Sequence, residues 1–178
     1  TFNENVRLLE KTWIKSEYGS PGVFVDTPDA LIRLNDDYKF LFDEFNLDSQ
    51  FYFSNSDKST ELFISNYTSK TKIESENFQF ILESKLDELE TKGLQNIIVT
   101  LDKFETSNKA NGLIFSGSSD FKIDENKFKP GNYNIIGFLT ETGFKTIVLL
   151  QQEVRYLDEI GKRIISSIDV LKEEKKWI

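Results

Sequence analysis

The stretch NYNIIGFLTETGFKTIVLLQQEVRYLDEIGKRIISSIDVL, residues 132–171, decides how the chain is read. Asn132 to Thr140 reads as a strand with Tyr133, Ile135, Gly137 and Leu139 on one face and Ile136 and Phe138 on the other, so both faces look covered and the strand central. Glu141, Thr142 and Gly143 supply a tight turn in which the glycine can take a positive φ. The chain returns through Phe144, Thr146, Ile147, Val148, Leu149 and Leu150, completing a hairpin. From Arg155 the period changes, and Leu157, Ile160, Ile164, Ile165, Ile168 and Leu171 make a helical stripe over a polar back of Asp158, Glu159, Lys162, Arg163 and Asp169. Burying each of those isoleucines is worth roughly 1.5–3 kcal/mol before entropy, against roughly 0–1 kcal/mol for a surface ion pair, so packing decides the element. Gly161, inside that helix, reads either as close approach to the sheet or as a tolerated exposed glycine.

The same logic works outward. Thr12 to Tyr18, the turn Gly19-Ser20-Pro21-Gly22 and Val23-Phe24-Val25 form a first hairpin that Pro28 ends, with Leu31 to Leu34 a further short strand. Tyr38, Phe40 and Phe42, then Phe51 and Phe53, then Leu62 and Ile64, stand at a spacing of two, each set the buried face of a strand. Phe45 and Leu47 fall in a connection, and Asn55 to Ser59 is a turn. Phe78, Ile81, Leu82, Leu86 and Leu89 mark a helix over 77–91 with Gly93 as its cap. Gln95 to Phe104 reads as one strand, with Ile97, Val99 and Leu101 on one face and Ile98 and Thr100 on the other. Asn111-Gly112 reads as a turn, Ser116 to Asp120 as a flexible polar segment, and Lys122 to Gly131 as a charged loop.

The order of strands, helix, two hairpins and helix predicts an α+β fold, an antiparallel β-sheet packed against α-helices, as a single domain over 1–178 with 1–11 as an N-terminal arm. The expected core includes Phe24, Phe53, Ile81, Val99, Ile136, Val148, Ile164 and Ile168.

Composition narrows the chemistry. Thirty acidic residues against 22 basic ones give a formal charge of −8, which opposes general binding to nucleic acid. With no cysteine and no histidine the chain has no thiol or imidazole catalyst and no Cys or His metal ligand. No apolar run approaches the roughly 18–20 residues that span a bilayer, so the chain reads as soluble. It begins at Thr1 and contains no methionine, which points to an initiator, tag or targeting segment upstream.

Candidate sites are few. Gly117-Ser118-Ser119 lacks the lysine and spacing of a phosphate loop and reads as a loop. The Ser-x-x-Lys pairs Ser69/Lys72 and Ser119/Lys122 have no companion motifs. Asp36, Asp37, Asp43, Glu44 and Asp48 are hard oxygen donors, but neither they nor Asp124 to Gly131 follow a calcium-loop order. Asn66-Tyr67-Thr68 matches a glycosylation acceptor. No catalytic, cofactor-binding or metal residue is assigned, no cofactor is expected, and the chain is read as no enzyme; a hydrolase using carboxylates alone would need two facing acids in a cleft, one with a raised pKa.

Thr12-Trp13 to Tyr18, Gly22 to Pro28, the helix over 77–91, Asn111-Gly112 and the closing Asp158 to Ile168 helix together resemble the PsbP-like family, which includes the extrinsic PsbP protein of photosystem II, a Ran-binding import factor and bacterial lipoproteins and adaptors. The resemblance implies an α/β/α sandwich with noncatalytic binding or scaffold roles, and the histidines that bind metal in some photosystem members have no counterpart here. It suggests a bacterial envelope lipoprotein, periplasmic or anchored to the outer membrane by a lipid upstream of Thr1, with a protein or small-molecule partner. The alternative is a cytoplasmic adaptor or chaperone that holds a partner segment in a groove between sheet and helix.

Overall fold

A computed structural model describes residues 12–19, 22–29, 31–34, 45–153 and 157–171. The expected arm over 1–11, the strand through Tyr38, Phe40 and Phe42, and the acids Asp36, Asp37, Asp43 and Glu44 lie outside the described residues.

The strands read first pair as expected. Strand β9 (Lys127–Leu139) and strand β10 (Gly143–Gln152) are antiparallel, with Ile147 opposite Ile136 and Val148 opposite Ile135. Around them the strands β3 (Ile32–Leu34), β4 (Asn46–Ser54), β5 (Thr60–Thr68), β6 (Leu94–Gln95), β7 (Thr100–Glu105) and β8 (Asn111–Asp124) complete an eight-stranded sheet in the order β3-β4-β5-β10-β9-β8-β6, with β7 also on β8. Strands β1 (Trp13–Gly19), β2 (Gly22–Pro28) and β11 (Asp169–Val170) form a second, three-stranded sheet. The described helices are α1 (Ser75–Thr91) and α2 (Leu157–Ser166).

Strands hold 57% of the structure and helices 18%, so the fold is β-rich, not the α+β helix-packed (α/β/α) sandwich expected from the sequence. Two features cause the difference. The segments read as loops, 116–120 and 122–131, are the end of β8, a two-residue turn and the start of β9, and β8 and β9 are the two longest strands. One face of the large sheet is covered by the small sheet as well as by a helix.

That face carries Phe53, Leu62, Ile64, Ile136, Phe138, Ile147 and Leu149, which pack against Tyr18, Val23, Val25 and Val170 of the small sheet and Ile160, Ile164 and Ile168 in and just beyond α2. The opposite face carries Phe63, Tyr67, Tyr133, Ile135, Phe144, Val148 and Leu150 beneath Phe78, Leu82 and Leu89 of α1. Since period two sends successive side chains to opposite faces, apolar residues must fill both registers of a strand covered on both sides, and β9 and β10 do so. Helix α1 sits directly on Gly137, where an added Cβ would lie 2.5 Å from Leu82 Cδ1.

Helix α2 stops at Ser166, short of the expected end at Leu171. Ser167 Oγ donates to Ile164 O (2.6 Å) and accepts the Asp26 amide (2.9 Å), and the chain then extends to pair Asp169 with Phe24 and Val170 with Val23. The stripe continued because Ile168 enters the same core from extended backbone. Gly161 is the close approach: its Cβ would meet Gln151 Oε1 at 2.1 Å.

Other expectations are corrected. Residues 95–104 are no single strand, because Asn96 turns left-handed (φ 53°) between β6 and β7. The turn before β8 lies at 106–110 with Lys109 at φ 68°, and Gly112 is a strand residue that lets Gly137 O approach within 2.4 Å of its Cβ position. Leu47 belongs to β4. Of the eight expected core residues, Phe53, Ile136, Val148, Ile164 and Ile168 are buried, Phe24 and Ile81 are half-buried, and Val99 is 46% exposed.

The core also sets an alkaline limit. Burial pushes the Tyr133 phenol up to about 12. Burial also raises Tyr67, helped by the Glu88 charge and opposed by hydrogen bonds with Ser65 and Thr146. Both folded values exceed the ordinary phenol value of about 10, so this stabilisation is intact below about pH 10 and is lost as pH climbs through the folded values. Urea unfolding midpoints are expected to hold from pH 8 to 9.5 and to fall between pH 10 and 12, less steeply in Tyr133→Phe; a flat profile to pH 12 would contradict the burial.

Candidate functional site

Helix α1 is built by Phe78, Leu82, Lys85 and Leu89, which recur at helical spacing and are all buried. Gly93 (φ 107°) lets the chain leave it, and the amides of Lys92 and Gly93 donate to Glu88 O and Glu90 O. Lys85 is the helix's single basic residue, and its buried ammonium pairs with Glu88 Oε2 at 2.9 Å. The solvent side of α1 therefore shows Glu83, Asp87 and Glu90 with no exposed cation among them. Phe80, off the buried stripe, stands 63% exposed on the same helix.

Opposite α1 runs the short irregular segment 96–99. It is held at three points. Asn96 Nδ2 donates to Asp120 Oδ2 (2.8 Å), the Ile98 amide donates to Ser118 O (2.9 Å), and Tyr133 Oη donates to Ile98 O (2.7 Å). Gly117 makes this possible, since a Cβ there would sit 1.9 Å from Ile98 O. The segment presents Ile97 and Val99 to the helix and leaves Ile98 exposed, and Leu101 follows, 38% exposed, on β7.

Between these walls is an open groove of about 530 Å³ lined by Phe80, Glu83, Ser84, Leu86, Asp87, Glu90, Ile97 and Val99. Its lining is more polar than apolar: Glu83, Asp87, Glu90 and Ser84 stand beside Phe80, Leu86, Ile97 and Val99. A second trough of about 450 Å³, on the other sheet face beside α2, is lined mainly by Ser116, Ser118, Asn132, Asn134, Gln151 and Lys162. Ser118 and Asn132 are exposed there and Ser116 and Asn134 half-buried, so solvation accounts for these four, whereas Gln151 is buried against Gly161 of α2.

The motifs weighed in the sequence do not converge. Ser69 Oγ donates to Thr71 O within its own loop, whereas Ser119 Oγ is buried against Gln95 O. Gly117-Ser118-Ser119 is strand, not loop. Asn66 of the glycosylation motif is buried, its amide nitrogen donating to Ser49 Oγ (2.9 Å) and its oxygen accepting Lys145 Nζ (2.8 Å). Asp48 is bonded by Thr68 and Asn46, and Asp124 to Gly131 is a β-hairpin. Among the described residues no three acidic side chains gather as a metal site. Asp57 and Asp169 are lowered, not raised: partial burial opposes their charge, but hydrogen bonds from Ser59 to Asp57, and from Lys15, Ser107 and the Asn108 amide to Asp169, outweigh it. Neither is the proton-holding acid that a carboxylate hydrolase needs.

The groove was missed in the sequence reading because Val99 and Ile97 were placed in a regular strand. Two signals were present: an aromatic residue off the apolar stripe of α1, and a helix with one lysine that the stripe itself buries. No protein-family model matches the chain, and no curated protein matches it.

Proposed function

We propose that this chain is a noncatalytic binding protein that holds a segment of a partner protein in the groove between α1 and residues 97–99. One observation carries the reading. Phe80, 63% exposed, and Val99, 46% exposed, line one groove together with Leu86 and Ile97, and exposed apolar side chains sharing a groove mark an interaction site. The groove is open and shallow, and its apolar residues mix with carboxylates, which suits a side-chain-bearing polypeptide better than an enclosed small molecule.

The test is site-specific photo-crosslinking in the native host with a benzophenone-bearing phenylalanine analogue at position 80. Position 32 is the control, since Ile32 is equally exposed but lies on β3, at the opposite edge of the sheet. A discrete protein adduct is expected from position 80 and not from position 32. Adding Gly117→Ala is expected to abolish it, because the new methyl group displaces Ile98 and removes the Ile97/Val99 wall while leaving the paired strands in place. Equal adducts at both positions, or none at position 80, would overturn the proposal.

A further inference from the structure

We infer that the occupant of the α1 groove is a cationic amphipathic helix of another protein, an inference that rests on the binding role proposed above and specifies its chemistry. The first ground is charge. Glu83, Asp87 and Glu90 all line the groove, none of its lining residues among those described is basic, and the one lysine of α1 is buried and bonded to Glu88. Three carboxylates beside Phe80, Leu86, Ile97 and Val99 reject an acidic segment and leave a purely apolar one no polar partner, whereas lysine or arginine flanking an apolar stripe satisfies both.

The second ground is shape and backbone chemistry. The groove presents side chains on both walls, from a helix on one side and from an irregular segment on the other, and an intruding apolar stripe at i, i+3 and i+4 matches such a cleft. Addition of a strand to β7 is the competing mode. It meets an obstacle, because the Lys103 amide on that strand is already taken by Asp102 Oδ1 at 2.7 Å, so a pairing strand must displace the carboxylate. A second copy of this chain is the other competitor. At a formal charge of −8, two copies repel each other in general, and the acidic rim of one would have to seat on a molecule with an excess of acids.

Three fluorescein-labelled 14-residue peptides with the same leucine stripe, bearing lysine, glutamine or glutamate on the polar face, test this by fluorescence anisotropy. The protein is compared as wild type, E83K/D87K/E90K, F80S/V99S and a control reversal D29K/E141K/E153K, whose three acids are exposed and outside the groove. Circular dichroism confirms each fold, and the single D87K variant serves if the triple does not fold. The lysine peptide is expected to bind at least tenfold more tightly than the other two, to weaken at least tenfold in E83K/D87K/E90K and in F80S/V99S, to weaken between 50 and 300 mM salt, and to be little changed by D29K/E141K/E153K. If the glutamine peptide binds as tightly as the lysine peptide and F80S/V99S abolishes both, the cationic inference falls while the groove remains a binding site. If the lysine peptide binds and neither groove variant affects it, or if no peptide binds, the inference falls, and the crosslinking result separately decides the binding role. Concentration-dependent dimerisation lost in F80S/V99S would replace the foreign helix by a second copy.

Discussion

Leu82→Ala is expected to lower the unfolding free energy by about 3–4 kcal/mol, within the roughly 2–5 kcal/mol seen when a fully buried leucine is truncated. Leu82 has no exposed surface, and its two terminal methyl carbons lie 2.5 and 2.6 Å from where a Cβ of Gly137 would be. The void would therefore open above Gly137, which has no side chain to fill it, and Phe78 and Tyr133, already buried, have little freedom to collapse inward. Urea denaturation checks this through a lower midpoint at unchanged m. Phe80→Ser, two residues away on the exposed side, is expected within about 0.5 kcal/mol of wild type. A loss below about 1 kcal/mol for Leu82→Ala would mean that α1 does not rest on β9, and with it the groove wall would go.

Gly143→Ala is the second large effect, expected near 3 kcal/mol, at the upper end of the overpacking range. The Cβ would fall 1.9 Å from Tyr67 O and 2.8 Å from Tyr67 C, both backbone atoms of the paired strand β5, so relief requires the β5/β10 ladder itself to part. Gly117 differs: its obstacle is a carbonyl in the irregular segment 96–99, which can yield without breaking a paired strand. The sequence suggested that Gly143 serves as a positive-φ turn residue, yet the positive-φ glycines among the described residues are Gly19 and Gly93. The two explanations differ in outcome. If φ were the reason, Gly143→Asn would be much milder than Gly143→Ala, since asparagine tolerates the left-handed region; close approach makes asparagine at least as harmful as alanine. Urea unfolding of the two variants side by side decides between them.

What was legible in the sequence was wherever side-chain period and burial agree. The 132–152 hairpin and the 13–28 hairpin read correctly because covered strands carry apolar residues in register. Helix α1 read correctly because Phe78, Leu82 and Leu89 share a face and Gly93 closes it. Strands β8 and β9 were illegible over 116–131 because their pairing there is sustained by backbone hydrogen bonds, while Ser116, Ser118, Asn132 and Asn134 face the open trough beside α2. Gly131 looked like a turn residue but lets Gln151 O approach within 2.3 Å of its Cβ position. Local composition does not distinguish a glycine needed for conformation from one needed for proximity. The same limit hid the groove. Val99 has the residue type of a core position, and only the left-handed Asn96 and the anchor from Tyr133 to Ile98 turn it to solvent.

The proposed binding surface of this protein is the groove between α1 and residues 97–99. Amide chemical-shift mapping of the isotopically labelled chain, titrated with the lysine-faced amphipathic peptide, tests it most directly. Saturable shifts are expected on residues 80–90 and 97–101, with the trough residues 116–118 and 132–134 and helix α2 unmoved. Shifts centred on the α2 trough, or scattered over the acidic surface without saturation, would contradict that proposal.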